Sequence, residues 1–133
     1  MTAGSRRRIG ALQVPILKQG PYLIATVQSA LTDADMMQLR DALVAQVGQY
    51  RARGVIIDVT ALDVMDSFAA GTLQDVAHMA RLRGAETVIV GIQPDVAFAM
   101  VHMGLTLEGV ATSLDLEAGL AHLDLSTGVS SHR

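Results

Sequence analysis

Cysteine and tryptophan are absent from this 133-residue chain, and aromatic residues make up only 3% of it. Without cysteine, neither a disulfide framework nor a thiolate metal site can form. With so few aromatic rings, the stacking platforms that bind single-stranded nucleic acids are missing as well. The core must therefore be built from aliphatic residues and the seven methionines.

Charge is also sparse, at 17% of residues and a net charge of −3. The one basic cluster, Arg6-Arg7-Arg8, lies in a polar N-terminal stretch, and the chain as a whole is not a basic nucleic-acid binder. The four histidines are scattered without the H-x-x-x-H or H-E-x-x-H spacing of zinc sites. We therefore expect no metal, no cofactor and no nucleic-acid partner.

Long hydrophobic runs are missing too. No segment approaches the roughly 20 apolar residues that a membrane span requires. The three arginines near the N-terminus are not followed by an apolar run long enough for a signal peptide. The expectation is a cytoplasmic protein without a membrane partner.

What the chain does contain is a regular alternation of strand and helix patterns. Apolar and β-branched runs predict strands over 12–17, 22–27, 55–59, 87–92 and 109–112, with turn chemistry at Gln19-Gly20-Pro21. Helical spacing predicts helices from Thr32 to a stop at Gly54, and over 67–81, 94–103 and 115–123. This order predicts a single α/β domain, residues 11–125, in which a mixed sheet packs against about four helices. Residues 1–10 and 126–133 are predicted to be flexible tails.

The most informative segment joins the central strand to the second helix. Ser67 follows Asp66 where that helix should begin, and small residues come after it (Ala69, Ala70 and Gly71). The free N–H groups of a first helical turn favour a phosphate. An exposed hydroxyl at this place is a candidate for modification, although Asp66 or Ser67 could instead only cap the helix.

This turn resembles the phosphorylatable turn of STAS domains, the fold of anti-anti-sigma factors. The likeness extends over residues 12–123, and it is strongest to single-domain stressosome scaffold proteins of the RsbS type. Its segments are VPILK at 14–18, IDVT at 57–60, DSF at 66–68, GIQPDVA at 91–97 and LDLE at 114–117.

The resemblance implies a non-catalytic regulator that sequesters an RsbT-type serine kinase and releases it when Ser67 is phosphorylated. It also implies RsbR-type co-scaffold partners, a phosphatase and self-association. The surface that meets a partner is expected to comprise Asp63, Asp66, Phe68, Ala69 and Ala70. Asp58, near the end of the central strand, is expected to support the turn by accepting hydrogen bonds from its N–H groups.

Two alternatives remain open. The first is a free-standing anti-anti-sigma factor that binds an anti-sigma kinase while unphosphorylated. Such proteins typically have Asp-Ser-Ser/Thr-Gly at this turn, whereas this chain has Asp66-Ser67-Phe68-Ala69, which favours the scaffold. The second concerns the hydroxyl, since Thr60 and Thr32 are nearby candidates. Enzyme and receiver-domain interpretations find no support, because nucleotide-binding, nucleophile-elbow and paired-acid motifs are lacking.

Overall fold

A computed structural model describes residues 14–28 and 31–128 of the chain. The described residues form five strands and four helices, in the order that the sequence predicts. The strands are β1 (Ile16–Gln19), β2 (Tyr22–Thr26), β3 (Gly54–Asp58), β4 (Glu86–Val90) and β5 (Ala111–Ser113). The helices are α1 (Asp33–Tyr50), α2 (Ser67–Leu82), α3 (Pro94–His102) and α4 (Leu116–Thr127).

The strands make one mixed sheet in the order β1-β2-β3-β4-β5. The β1–β2 pair is an antiparallel hairpin, and the other three pairs are parallel. Each parallel strand is followed by a helix that runs back toward the amino ends of the strands. All four helices therefore begin at the carboxyl ends of the parallel strands, which places their first turns at one end of the domain.

Side chains of the central strands alternate between two apolar layers, as the pleat of a β-strand requires. In β3, Val55 and Ile57 face the larger layer, beneath α1 and α2, while Ile56 faces the smaller layer, beneath α4. Because both faces of the strand are covered, it is apolar almost throughout, as a central strand should be. This confirms the predicted α/β fold with a mixed sheet and four helices.

Helix α4 covers the second face of the sheet through close backbone contacts. A Cβ at Gly119 would lie 2.7 Å from Val90 Cγ1, so only glycine allows the helix to approach this near. Tyr22 donates a hydrogen bond from its hydroxyl to Asp124 at 2.6 Å, which fixes the end of α4 to β2. Burial raises the pKa of Tyr22, and the bond to Asp124 acts in the same direction.

Most element boundaries lie within two residues of the sequence prediction, and the three largest differences are at the first strand, α1 and α4. The first described strand is Ile16–Gln19 rather than 12–17, because Gln19 pairs with Tyr22 and only Gly20 and Pro21 form the turn. Helix α1 ends at Tyr50 rather than at Gly54, since Arg51 adopts a left-handed backbone with φ of 53°. The last helix continues four residues beyond 123, to Thr127, and stops at Gly128, whose φ is 75°. The predicted tail at 126–133 therefore starts too early, because residues 126 and 127 belong to α4. Residues 1–10 and 129–133 lie outside the described residues.

Candidate functional site: the β3–α2 turn

Asp66 is the N-cap of α2. Its backbone is extended, its carboxylate accepts a hydrogen bond from the Ala69 N–H at 2.8 Å, and its carbonyl accepts from the Ala70 N–H at 2.9 Å. This arrangement satisfies one of the free N–H groups of the first turn. The capping role therefore belongs to Asp66 and not to Ser67.

Ser67 is the first residue of α2, and its side chain is exposed. Within residues 14–28 and 31–128, its hydroxyl has no hydrogen-bond partner. With Asp66 bound to the Ala69 N–H, the backbone N–H groups of Ser67 and Phe68 still point out of the helix end. A phosphate on Ser67 would thus meet a helix N-terminus but also the charge of Asp66.

The capping role of Asp66 can be separated from its charge. Asp66→Ala should lower the free energy of unfolding by about 1 kcal/mol, whereas Asp66→Asn should change it by only a few tenths, since asparagine caps equally well. Urea denaturation of the two variants checks this. Equal losses would show that the negative charge, rather than the cap, stabilises the helix start.

The turn before Asp66 is held by Asp58, which is half-buried at the end of β3. The carboxylate of Asp58 accepts from the Thr60 N–H at 2.9 Å and from the Thr60 hydroxyl at 2.6 Å. The structure thus places Asp58 as a support of this turn, but through Thr60 at its beginning rather than through the residues next to Ser67.

Two residues after β4 complete the support of the turn. The side-chain amide of Gln93 donates a hydrogen bond to the Thr60 carbonyl. Gly91 has φ of 82°, and a Cβ there would collide with the Thr60 hydroxyl and lie 3.2 Å from Asp58 Oδ1. Sequence reasoning missed both residues, because nothing local relates them to a turn some thirty positions earlier. Glycine directly after a strand was the one available signal.

The predicted partner surface is only partly exposed. Asp63, Asp66 and Phe68 are exposed, and Ala69 is half-buried. Ala70 was wrongly included, because its side chain is only 3% exposed and packs in the core. It lies on the same buried face of α2 as Leu73 and Ala77.

Sequence reasoning did not single out one exposed apolar residue in this turn. Val64, between Asp63 and Asp66, is 66% exposed. It lines a hollow of about 80 Å³ together with residues from the start of α1 and the turn. The lining residues are Leu31, Met36, Leu62, Val64, Asp66 and Ala69. The surface beside Ser67 is therefore an acidic rim around a small apolar depression.

Gly71 does not serve close packing, because a Cβ added there would meet nothing within 4 Å.

Among the described residues, no helix is long and apolar enough to cross a lipid bilayer. The same part of the chain brings together no group of three histidine or carboxylate side chains that could hold a metal ion.

The chain is similar to known proteins both in sequence and in structure. The family model described as "STAS domain" matches residues 13–117. Among solved structures, a serine-to-glutamate variant of RsbS from Moorella thermoacetica superposes with a TM-score of 0.75 at 33% identity, covering 88% of this chain and 99% of that one. A chain of the structure titled "Molecular architecture of the stressosome, a signal integration and transduction hub" gives 0.69 at 35% identity, covering 84% and 97%.

Among curated proteins, the RsbT co-antagonist protein RsbRA of Bacillus subtilis is 29% identical over 98 residues, which is 74% of this chain and 34% of RsbRA. The chain thus spans about a third of that relative's length. The unphosphorylated anti-sigma factor antagonist SpoIIAA, at 16% identity and a TM-score of 0.62, shares the fold. These names describe regulators and a signalling assembly. The family match covers most of the sequence, and the chain belongs to the STAS-domain family.

Proposed function

We propose that this protein is a phosphorylation-controlled scaffold of a stressosome-type assembly. In this role it holds an RsbT-type serine kinase at the surface around Ser67 and releases it when Ser67 is phosphorylated. RsbR-type STAS proteins are its co-scaffolds, and a phosphatase restores the binding state. The protein itself is not an enzyme. The likeness to RsbS over 88% of the chain supports this role.

The observation that carries the proposal is the free hydroxyl of Ser67. Both competing hydroxyls are engaged: that of Thr60 donates to Asp58, and that of Thr32 accepts from the Asp35 N–H at 3.0 Å as the cap of α1. Phosphorylation of Thr60 would remove the proton that it donates to Asp58, and phosphorylation of Thr32 would put a phosphate on the capping oxygen of α1, next to the Asp35 carboxylate. Ser67 offers an exposed oxygen whose modification breaks no bond in the described structure.

Phosphate transfer onto the purified protein tests this assignment. Incubation with the RsbT-type kinase of the same organism and ATP should place a single phosphate on Ser67, identified by tandem mass spectrometry. The Ser67→Ala variant should remain unmodified. Ser113→Ala, which changes another serine at the carboxyl end of the sheet, should be phosphorylated as the unaltered protein is. Phosphate mainly on Thr60 or Thr32 would overturn the assignment.

A further inference from the structure

Gln93 occupies the N-cap position of α3 but does not cap the helix. Its backbone is extended, with φ of −66° and ψ of 151°, and its carbonyl accepts from the Ala97 N–H at 2.9 Å, yet its side chain makes no capping hydrogen bond. Serine, threonine, aspartate and asparagine are the side chains that cap well. The other three described helices each begin with one of these, and each cap accepts a bond from the first turn. These caps are Thr32, Asp66 and Asp115.

The Gln93 side chain reaches the β3–α2 turn instead of its own helix. Its amide donates a hydrogen bond to the Thr60 carbonyl. The N–H and the hydroxyl of Thr60 are already bound to the Asp58 carboxylate, at 2.9 and 2.6 Å. All three polar groups of Thr60 are therefore held, and Gln93 supplies the one contact that comes from outside this turn.

The segment that follows Thr60 has few hydrogen bonds of its own. Within residues 61–65, all of which the structure describes, there is one, from the Leu62 N–H to the Val59 carbonyl at 2.9 Å. Apart from the burial of its apolar side chains, the segment is thus held at its two ends, by Thr60 and by the cap residue Asp66. Its exposed side chains belong to the surface that the proposed function gives to the kinase.

We propose that Gln93 is a positioning residue for the kinase contact. Its bond to Thr60 holds residues 61–65 in the conformation that the kinase binds, and for that purpose α3 is left without a side-chain cap. A looser turn would have to be ordered when the kinase docks, and that ordering opposes binding. A residue that departs from the local preference of its position is most often found at a functional site. The inference rests on the proposed function and adds a residue that does not itself touch the partner.

Two substitutions separate positioning from stability. Gln93→Ser and Gln93→Ala both remove the amide, but only the serine variant can cap α3, so it should melt about 3 °C above the alanine variant. Isothermal titration should nevertheless find that both bind the RsbT-type kinase about three- to tenfold more weakly than the unaltered protein, the effect of one lost hydrogen bond. If Gln93 served only the stability of the fold, the serine variant would regain the affinity.

The kinetics of Ser67 phosphorylation should show the same division. Gln93 does not contact Ser67 or its neighbour Asp66. Its loss should therefore raise the KM of the kinase for the protein by a factor similar to the loss of affinity and leave kcat within about twofold. A fall in kcat with an unchanged KM would contradict a role in positioning the docking surface.

Gln74 provides the matched control. Its side-chain amide also donates to a backbone carbonyl of a distant loop, that of Thr106 at 3.0 Å, but away from the β3–α2 turn. Methionine has a similar length and cannot donate. Gln93→Met should weaken kinase binding, and Gln74→Met should leave it unchanged. Equal losses for the two variants would show that any such link serves as well, and the proposal would be wrong.

Hydrogen exchange of the protein alone tests the same link without the kinase. The Leu62 amide should exchange faster in Gln93→Ser than in the unaltered protein, although the serine variant has the better cap. Unchanged exchange at Leu62, or full kinase affinity of the serine variant, would overturn the proposal. Faster exchange in a protein whose unaltered form binds no kinase would support the positioning of the turn by Gln93 and refute the proposed function instead.

Discussion

Phosphorylation of Ser67 is expected to weaken binding of the RsbT-type kinase by about a hundredfold or more, the equivalent of a few kcal/mol. The modification adds a charge of about −1.5 to −2 at pH 7. Asp66 already lies beside it, and the described residues offer no arginine or lysine at this end of the domain. Burying that charge without a partner in a docked interface is strongly unfavourable.

Isothermal titration of the kinase with the phosphorylated and unmodified proteins measures this loss. Ser67→Glu and Ser67→Gln make a matched pair, since they add side chains of similar size and only one adds charge. The glutamate variant should bind more weakly than the glutamine variant. Similar affinities for the pair would indicate that size, and not charge, disrupts the contact.

Gly91→Ala should be the most destabilising single-methyl change at the site, lowering the free energy of unfolding by about 3 kcal/mol. Roughly 1–2 kcal/mol comes from the left-handed backbone, where φ is 82°. The rest comes from the collision with the Thr60 side chain, which must move and release its bond to Asp58, at a cost of about 1 kcal/mol.

Gly104→Ala is the matched control for this prediction. Its φ is 70°, but a Cβ there would meet nothing within 4 Å, so only the backbone cost should appear in urea denaturation. In a Thr60→Ala background, Gly91→Ala should cost close to that amount, because the colliding hydroxyl is gone and only tight contacts with the Cβ of residue 60, at 3.1 Å, and with Asp58 Oδ1, at 3.2 Å, are left. If Gly91→Ala and Gly104→Ala cost the same in the unaltered background, Gly91 is not required for the Thr60–Asp58 contact.

The sequence predicted the fold well because its signals are local. Strand β3 is apolar and β-branched, α1 begins at a Thr32 capping box, and Pro94 opens α3. These patterns depend on residues within a few positions of each other. The boundary errors arose where a backbone conformation decided the end, as at Arg51, whose left-handed φ ends α1 before the glycine that was expected to do so.

At the candidate site, only the residues that are close together in the sequence could be predicted. Asp66 and Ser67 follow directly from their place at a strand-to-helix turn. The contact of Gln93 and Gly91 with Thr60 was not predictable, because it depends on the parallel register of β3 and β4, which aligns Asp58 with Val90. The burial of Ala70 depends on how α2 is rotated over the sheet, and small residues such as alanine give little indication of that rotation. The exposure of Val64 depends on the path of the turn before the helix.

We expect phosphate on Ser67 to act on a docked partner and not on the fold. Thermal melting of the phosphorylated and unmodified proteins, compared with their kinase affinities per folded molecule, separates an effect on partner binding from an effect on the fold. Attraction to the helix N-terminus opposes repulsion by the nearby carboxylates, so stability should change by no more than about 1 kcal/mol. Nearly coincident melting curves with a sharp loss of affinity are expected. A steep fall in melting temperature with unchanged affinity would show that the switch is local unfolding.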